Sequence, residues 1–90
     1  MGHFYDVDVY RLEDEDGGEP WWGAEGGLEN DSVGVDFEST QDLAELINWV
    51  HDETIAFRKK WPDLQVRWFE GRQPATDFLA AAQAAGIVLP

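Results

Sequence analysis

The stretch FYDVDVYRL, Phe4–Leu12, carries the clearest fold signal in the chain. Its residues alternate, so Tyr5, Val7 and Val9 fall on one face of an extended segment and Asp6 falls on the other. An alternation of period two that is rich in β-branched and aromatic residues is typical of a strand with one buried face. We therefore predict that this stretch is the first strand of a sheet.

Two more strands are predicted directly after it. Asp16-Gly17 is a strong turn signal, and it separates the first strand from a second one at Trp21–Leu28. Residues 29–32 form another predicted turn, and residues 33–38 alternate again as a third strand. The N-terminal part of the chain therefore predicts three consecutive strands.

A long helix follows in the prediction. Apolar side chains recur every three or four residues from Leu43 to Trp61, which indicates an amphipathic helix of about 20 residues. Ser39, followed by Asp42 three residues later, approximates a capping box at its start. The basic residues 58–60 stand at its C-terminal end, as the helix dipole favours.

The last third of the chain predicts one strand and one helix. Residues 64–69 read as a fourth strand, residues 70–73 as a loop, and a short helix runs from Pro74 through Ala85 with Gly86 as its C-cap. The predicted order is βββαβα in a single domain, residues 1–90. We expect an α+β fold in which a small antiparallel sheet has its helices packed on one face.

The net charge of −13 is the most unusual property of the composition. Residues 1–57 carry a net −15, whereas residues 58–90 carry a net +2. A net magnitude of about 2–8 is enough to keep a small domain in solution, and any excess destabilises the fold through self-repulsion. A polarised excess of this size indicates a surface made to engage a basic partner.

Several functional classes are disfavoured by what the sequence lacks. It has no cysteine and no apolar run near the roughly 20 residues of a membrane span, and its first residues do not resemble a signal peptide. We expect a cytoplasmic protein that does not act on membranes. The only basic cluster is residues 58–60, so direct nucleic-acid binding is not expected either.

Neither catalysis nor cofactor binding is predicted. His3 and His51 stand in no nucleophile motif, and nothing suggests a cleft with two carboxylates of split pKa. Asp14-x-Asp16-Gly17 echoes the start of a calcium loop, but it lies between predicted strands rather than between the two helices of an EF-hand, and its Asp16-Gly17 stands in hairpin position. We expect a non-enzymatic protein without a metal or other cofactor.

The candidate partner-binding residues are carboxylates and tryptophans. An array of carboxylates spaced over a sheet and a helix can stand in for nucleic-acid phosphates, and exposed Trp side chains often anchor interfaces. At least one of the neighbours Trp21 and Trp22 should face outward, because successive strand residues point to opposite faces. The candidates are Asp6, Asp8, Glu13, Asp14, Glu15, Asp16, Trp21, Glu25, Asp36, Glu38, Asp42, Glu45 and Asp52, with Glu53, Trp22 and Trp49 as further members.

The pattern over residues 4–69 resembles the HicB-like antitoxin fold. The matching features are the alternating first strand, the acidic Asp16-Gly17 hairpin, the Trp-bearing second strand and a third strand leading into the helix. Gly26-Gly27 stands where such proteins often have Pro-Gly, and the DNA-binding part that usually follows is absent. The resemblance implies a βββαβ unit that binds a small basic RNase toxin without autorepression.

Three hypotheses about function remain open at this point. One is an inhibitor that mimics nucleic-acid phosphates, such as a phage protein directed against a bacterial defence complex (an anti-CRISPR, for example). Another is an antitoxin or immunity protein that neutralises a basic nuclease. The third is an acidic interaction subunit whose charge serves solubility alone. Exposed edge strands would also permit a homodimer.

Overall fold

The computed structural model describes residues 3–28, 34–71 and 73–89. Within these ranges it has an α+β fold of two helices and five strands, so the predicted class is confirmed. The predicted turn at residues 29–32 and Val33 of the third strand lie outside the described residues. The elements are β1 (Phe4–Leu12), β2 (Trp21–Leu28), β3 (Gly34–Asp36), α1 (Leu43–Lys60), β4 (Gln65–Glu70), β5 (Gln73–Pro74) and α2 (Thr76–Ala84).

The sheet is mixed, and the prediction of an antiparallel sheet was wrong. Its strand order is β3-β2-β1-β4-β5, and β1 pairs antiparallel with β2 but parallel with β4. The reason lies in α1. Because β3 runs in the same direction as β1 and α1 carries the chain back over the sheet, β4 starts again at the end where β1 starts. Parallel neighbours of this kind require such a crossover, usually a helix.

A fifth strand was also missed. Gln73 and Pro74 pair with Glu70 and Phe69 in a short hairpin, where a loop and the first turn of a helix were predicted. Gly71 makes the reversal with a φ of 55°. Pro74 is tolerated there because an edge strand does not need every N–H group. The second helix accordingly begins at Thr76.

Both helices cover the same face of the sheet, as predicted. Tyr5, Val7 and Val9 of β1 are fully or almost fully buried, and they share one core with residues of both helices. Phe78 of α2 is fully buried and packs on two tryptophans of the sheet, with ring-centroid distances of 5.8 Å to Trp22 and 5.0 Å to Trp68. The buried residues of the core between the sheet and the helices are Tyr5, Val7, Val9, Trp22, Ala24, Leu28, Leu46, Ile47, Val50, Leu64, Ala75, Phe78 and Ala82.

The start of α1 differs from the predicted capping box. Asp42, and not Ser39, is the N-cap, and its Oδ1 accepts hydrogen bonds from the backbone N–H groups of Ala44 (3.0 Å) and Glu45 (3.4 Å). An Asp at this position satisfies N–H groups that have no partner within the helix. Ser39 lies one residue before Thr40, which forms an isolated bridge with Trp22.

The end of α2 agrees with the prediction to within one residue. The helix ends at Ala84, Ala85 is the C-cap, and Gly86 adopts a φ of 70°. Ile87 N–H donates to Ala82 O and Gly86 N–H donates to Gln83 O, both at 3.0 Å, which is the Schellman arrangement. None of the described helices is long and apolar enough to cross a membrane.

Candidate functional site

The face of the sheet that the helices leave uncovered, here called the open face, carries three acidic residues in register. Asp8 of β1 lies opposite Glu25 of β2, and Glu25 lies opposite Asp36 of β3. All three side chains are exposed. Residues opposite each other on neighbouring strands have Cβ atoms about 5 Å apart. We call Asp8, Glu25 and Asp36 the carboxylate row.

The row extends across three neighbouring strands, because β2 lies between β1 and β3 and contributes Glu25. Asp8 Oδ1 accepts a hydrogen bond from Gly71 N–H at 3.0 Å. Within residues 3–28, 34–71 and 73–89, no member of the row forms an ion pair. Like charges placed opposite each other destabilise a sheet, so the row has a cost in folding free energy.

Asp6, the next open-face acid on β1, is in a different situation. It lies opposite Arg67 of β4, and the two side chains make a bidentate pair with distances of 2.6 and 2.8 Å. The guanidinium carbon of Arg67 also lies 4.1 Å from the centre of the Phe4 ring. The charge of this candidate binding residue is therefore already compensated within the protein.

Apolar side chains adjoin the row on the open face. Trp21 and Leu12 lie opposite each other at the end of the β1–β2 ladder and are 37% and 49% exposed. Tyr10 is 39% exposed and its ring covers Gly23. Trp22 points to the helix side with 7% exposure. The prediction that one of the two adjacent tryptophans faces outward is confirmed, and that residue is Trp21.

The acidic hairpin loop contains four of the predicted residues, and two of them have local structural roles. Asp14 Oδ2 accepts a hydrogen bond from Gly18 N–H at 2.9 Å, and Glu13 pairs with Arg11 at 3.3 Å. Glu15 and Asp16 are exposed. No group of three or more His, Cys, Asp or Glu side chains in the described part of the chain is arranged to hold a metal ion.

The acids of α1 are separated by their positions along the helix. Asp42 caps the first turn and Glu45 is exposed within that turn, beside the positive end of the helix dipole. Asp52 lies seven residues after Glu45, about two turns further on, and is exposed. These three residues therefore do not form one cluster.

Asp52 instead belongs to a groove between α1 and the edge of the sheet. The groove has a volume of about 440 Å³ and is open to solvent. We call it the acidic groove. Its lining consists of Val35, Asp36, Phe37, Glu38, Trp49, Asp52 and Glu53.

The acidic groove joins acids that are distant in sequence to two aromatic rings. Asp36 and Glu38 come from β3 and the segment after it, whereas Asp52 and Glu53 come from α1. The sequence did not identify Phe37 as a site residue, because the alternation of the third strand assigned it to the core. Phe37 is in fact half-buried and lines the groove while packing against the core.

A buried hydroxyl without a partner lies next to this groove. Tyr5 is fully buried, and its Oη atom has no hydrogen-bond partner among the described residues. The ring crosses over Gly26, where an added Cβ would meet the Oη atom. Burial, together with the negative charge of Glu53, raises the pKa of Tyr5 from its ordinary value of 10.0 to about 12.

Comparisons with known proteins do not assign the chain to a family. Neither protein-family models nor curated proteins nor solved structures gave a match. The features of the structure that bear on function are therefore the carboxylate row, the apolar residues beside it and the acidic groove.

Proposed function

We propose that this protein is a non-enzymatic inhibitor that binds a basic nucleic-acid-binding protein and presents carboxylates where that protein normally meets phosphates. The observation that carries the proposal is the carboxylate row of Asp8, Glu25 and Asp36 on the open face. The three acids repel one another across adjacent strands, and a cationic partner laid along the row would relieve that repulsion.

The spacing of the row supports a phosphate-like role. Neighbouring strands lie about 5 Å apart, which sets the distance between successive charges of the row. Double-stranded DNA carries one charge per about 3.4 Å along each strand, a spacing of the same order. Basic side chains arranged to follow a phosphate backbone can therefore follow the row as well.

The apolar neighbours of the row supply a second source of affinity. Charge complementarity mainly speeds the encounter of two proteins and selects the partner. Buried aromatic anchors usually contribute more of the binding free energy. Trp21 is such an anchor, since it is 37% exposed at the end of the β1–β2 ladder, on the same face as the row.

The test is affinity capture from a nuclease-treated lysate of the organism in which the gene occurs. The immobilised protein is washed with a salt gradient or with double-stranded DNA as competitor. We expect a basic nucleic-acid-binding protein that elutes as salt rises and that DNA displaces. A neutral partner that is insensitive to salt would contradict the proposal.

A matched pair of variants locates the contact. Asp8→Asn with Glu25→Gln removes two charges from the row, and Glu15→Gln with Asp16→Asn removes two exposed charges from the hairpin loop. We expect the first double variant to lose about tenfold in affinity or more, and the second to lose much less. An equal loss would show that total charge, and not the row, governs binding.

The identity of the captured protein separates the proposal from its nearest alternative. A small basic nuclease would favour the antitoxin or immunity function that the HicB-like resemblance implies. A larger nucleic-acid-guided or DNA-binding complex would favour the phosphate-mimicking inhibitor.

A further inference from the structure

We infer that the acidic groove is a receptor for a single arginine side chain of the basic partner. This inference rests on the proposed function, because it names a second contact made by the same partner. The groove offers two aromatic rings, Phe37 and Trp49, and the four carboxylates Asp36, Glu38, Asp52 and Glu53. A guanidinium is the side chain that uses both kinds of group, through stacking and through bidentate hydrogen bonds.

Charge complementarity points to a cationic occupant. Asp36, Glu38 and Asp52 are exposed and Glu53 is half-buried. In the described ranges, none of these four carboxylates takes part in an ion pair. They also converge from two separate parts of the fold on one concavity, so an entering cation meets them together.

The aromatic rings favour a guanidinium over an ammonium. Phe37 and Trp49 are half-buried, so each ring is fixed by the core on one side and accessible on the other. The planar, weakly hydrated guanidinium stacks on such rings at little desolvation cost, whereas an ammonium keeps its water more strongly. The side chain of an arginine is also long enough to enter a groove while its backbone stays outside.

The protein itself provides an example of this recognition on its other side. Arg67 is held on the open face by the bidentate contact with Asp6 and by the ring of Phe4, 4.1 Å from the guanidinium carbon. A carboxylate beside a phenylalanine ring therefore accommodates a guanidinium in this fold. The acidic groove repeats that combination without an arginine of its own among the lining residues.

An unpartnered hydroxyl, that of the fully buried Tyr5, lies in the core behind the groove. The Tyr5 ring extends from β1 across Gly26 of β2, and Gly26 is the register partner of Val35 in the groove lining. Glu53 of the groove is close enough for its charge to act on the hydroxyl. The hydroxyl is a buried polar group that the described residues leave without a partner, on the core side of the groove.

The groove is also continuous with the carboxylate row. Asp36 belongs to both, so the negative surface runs from the open face around the edge strand β3 to α1. A partner that lays basic residues along the row can therefore place one more arginine around the edge of the sheet.

The test is a titration of the ¹⁵N-labelled protein with N-acetyl-arginine amide. N-acetyl-lysine amide and the neutral isostere N-acetyl-citrulline amide are titrated in parallel. The readout is the indole N–H resonance of Trp49, assigned with Trp49→Phe, and the indole of Trp21 on the open face serves as internal control. We expect a saturable shift of Trp49 with the arginine probe, a weaker one with lysine and none with citrulline.

Variants connect the shift to the groove. Asp52→Asn with Glu53→Gln should weaken the arginine response by about tenfold, and the hairpin pair Glu15→Gln with Asp16→Asn should leave it unchanged. An equal response to the lysine probe, an equal effect of both double variants, or parallel shifts of Trp21 would each overturn the inference. The folded state of each variant is verified from the same spectra.

The titration tests the groove and the capture experiment tests the proposed function, so failure of one can be distinguished from failure of the other. The groove variants leave Asp8 and Glu25 intact, and the row variants leave Asp52 and Glu53 intact. Arginine binding without capture of a basic partner would contradict the proposed function and leave the groove as a guanidinium site. Capture that depends on the row, with no arginine response at Trp49, would overturn the groove alone.

Discussion

Arg67 donates from Nε to Asp6 Oδ1 at 2.6 Å and from Nη2 to Asp6 Oδ2 at 2.8 Å, joining the parallel strands β1 and β4 across the open face. This pair divides the acids of the open face into two groups. Asp6 stabilises the sheet, whereas Asp8, Glu25 and Asp36 repel one another. Removing the charge of Asp6 should therefore lower stability, whereas removing a charge of the row should raise it.

The first prediction uses that contrast. Asp6→Asn should lower the free energy of unfolding by about 1–2 kcal/mol, because it removes a partly buried, bidentate charge pair. Glu25→Gln changes the net charge by the same amount and should raise the free energy of unfolding by about 0.5 kcal/mol, since it relieves repulsion from both neighbours in the row. Urea denaturation of the two variants measures both values. The same sign for both would contradict the division of the open face.

The second prediction concerns two close approaches of tyrosine rings to glycines. An added Cβ at Gly26 would collide with Tyr5 Oη, and one at Gly23 would collide with Tyr10 Cζ. Tyr5 is fully buried and cannot move, whereas Tyr10 is 39% exposed and can swing into solvent. Gly26→Ala should therefore destabilise the fold by about 2–3 kcal/mol, and Gly23→Ala by less than about 1 kcal/mol. Thermal unfolding compares the two, and equal losses would count against this packing.

The third prediction concerns the buried hydroxyl of Tyr5. Its pKa is raised from 10.0 to about 12 in the folded protein, so the unfolded chain releases this proton first as the pH rises. The associated stability is complete below pH 10 and is lost as the pH approaches about 12. The loss should reach about 2 kcal/mol.

Tyr5→Phe isolates that contribution. The variant should unfold with a flatter dependence on pH between 10 and 12, and at pH 7 it should be about 1 kcal/mol more stable, because an unpartnered buried hydroxyl is removed. Tyr10→Phe, which changes an exposed ring, is the control and should keep the alkaline loss. Urea unfolding at several pH values provides the data, and an unchanged alkaline slope in Tyr5→Phe would refute the assignment.

The fourth prediction distinguishes the two proposed caps of α1. Asp42→Ala should cost about 1 kcal/mol, because the N–H groups of Ala44 and Glu45 lose their acceptor. Asp42→Asn keeps an acceptor oxygen and should recover most of that loss. Ser39→Ala should change stability by less than about 0.5 kcal/mol. A larger effect at Ser39 than at Asp42 would restore the capping box that the sequence suggested.

Much of the secondary structure could be predicted because its causes are local. The alternation of Phe4–Leu12 specifies an extended segment with one apolar face, and the spacing of apolar residues after Asp42 specifies a helix. Gly86 marks a helix end because its positive φ is inexpensive only for glycine. The two-residue strand β5 was missed because it contains no periodic pattern and exists only through its pairing with β4.

The candidate site was predicted less well than the fold. The sequence identified the acidic residues by composition, but which of them are neutralised by a basic side chain and which share one face or groove depends on neighbours far along the chain. Arg67 is 61 positions from Asp6 in the sequence. Asp52 and Asp36 line the same groove only because α1 packs over the sheet. No local pattern contains that information.

By itself, the sequence determined an α+β fold, a polarised acidic charge and an outward-facing tryptophan beside a buried one. These follow from residue type and from the periods of strands and helices, which act over a few residues. The tertiary structure alone decided that β4 lies parallel to β1, and this placed Arg67 against Asp6. It also decided that Glu25 completes a row with Asp8 and Asp36, and that Phe37 and Trp49 line an acidic groove. Such contacts arise from how the strands are ordered in the sheet, and that order is fixed by burial of a common core rather than by any single segment.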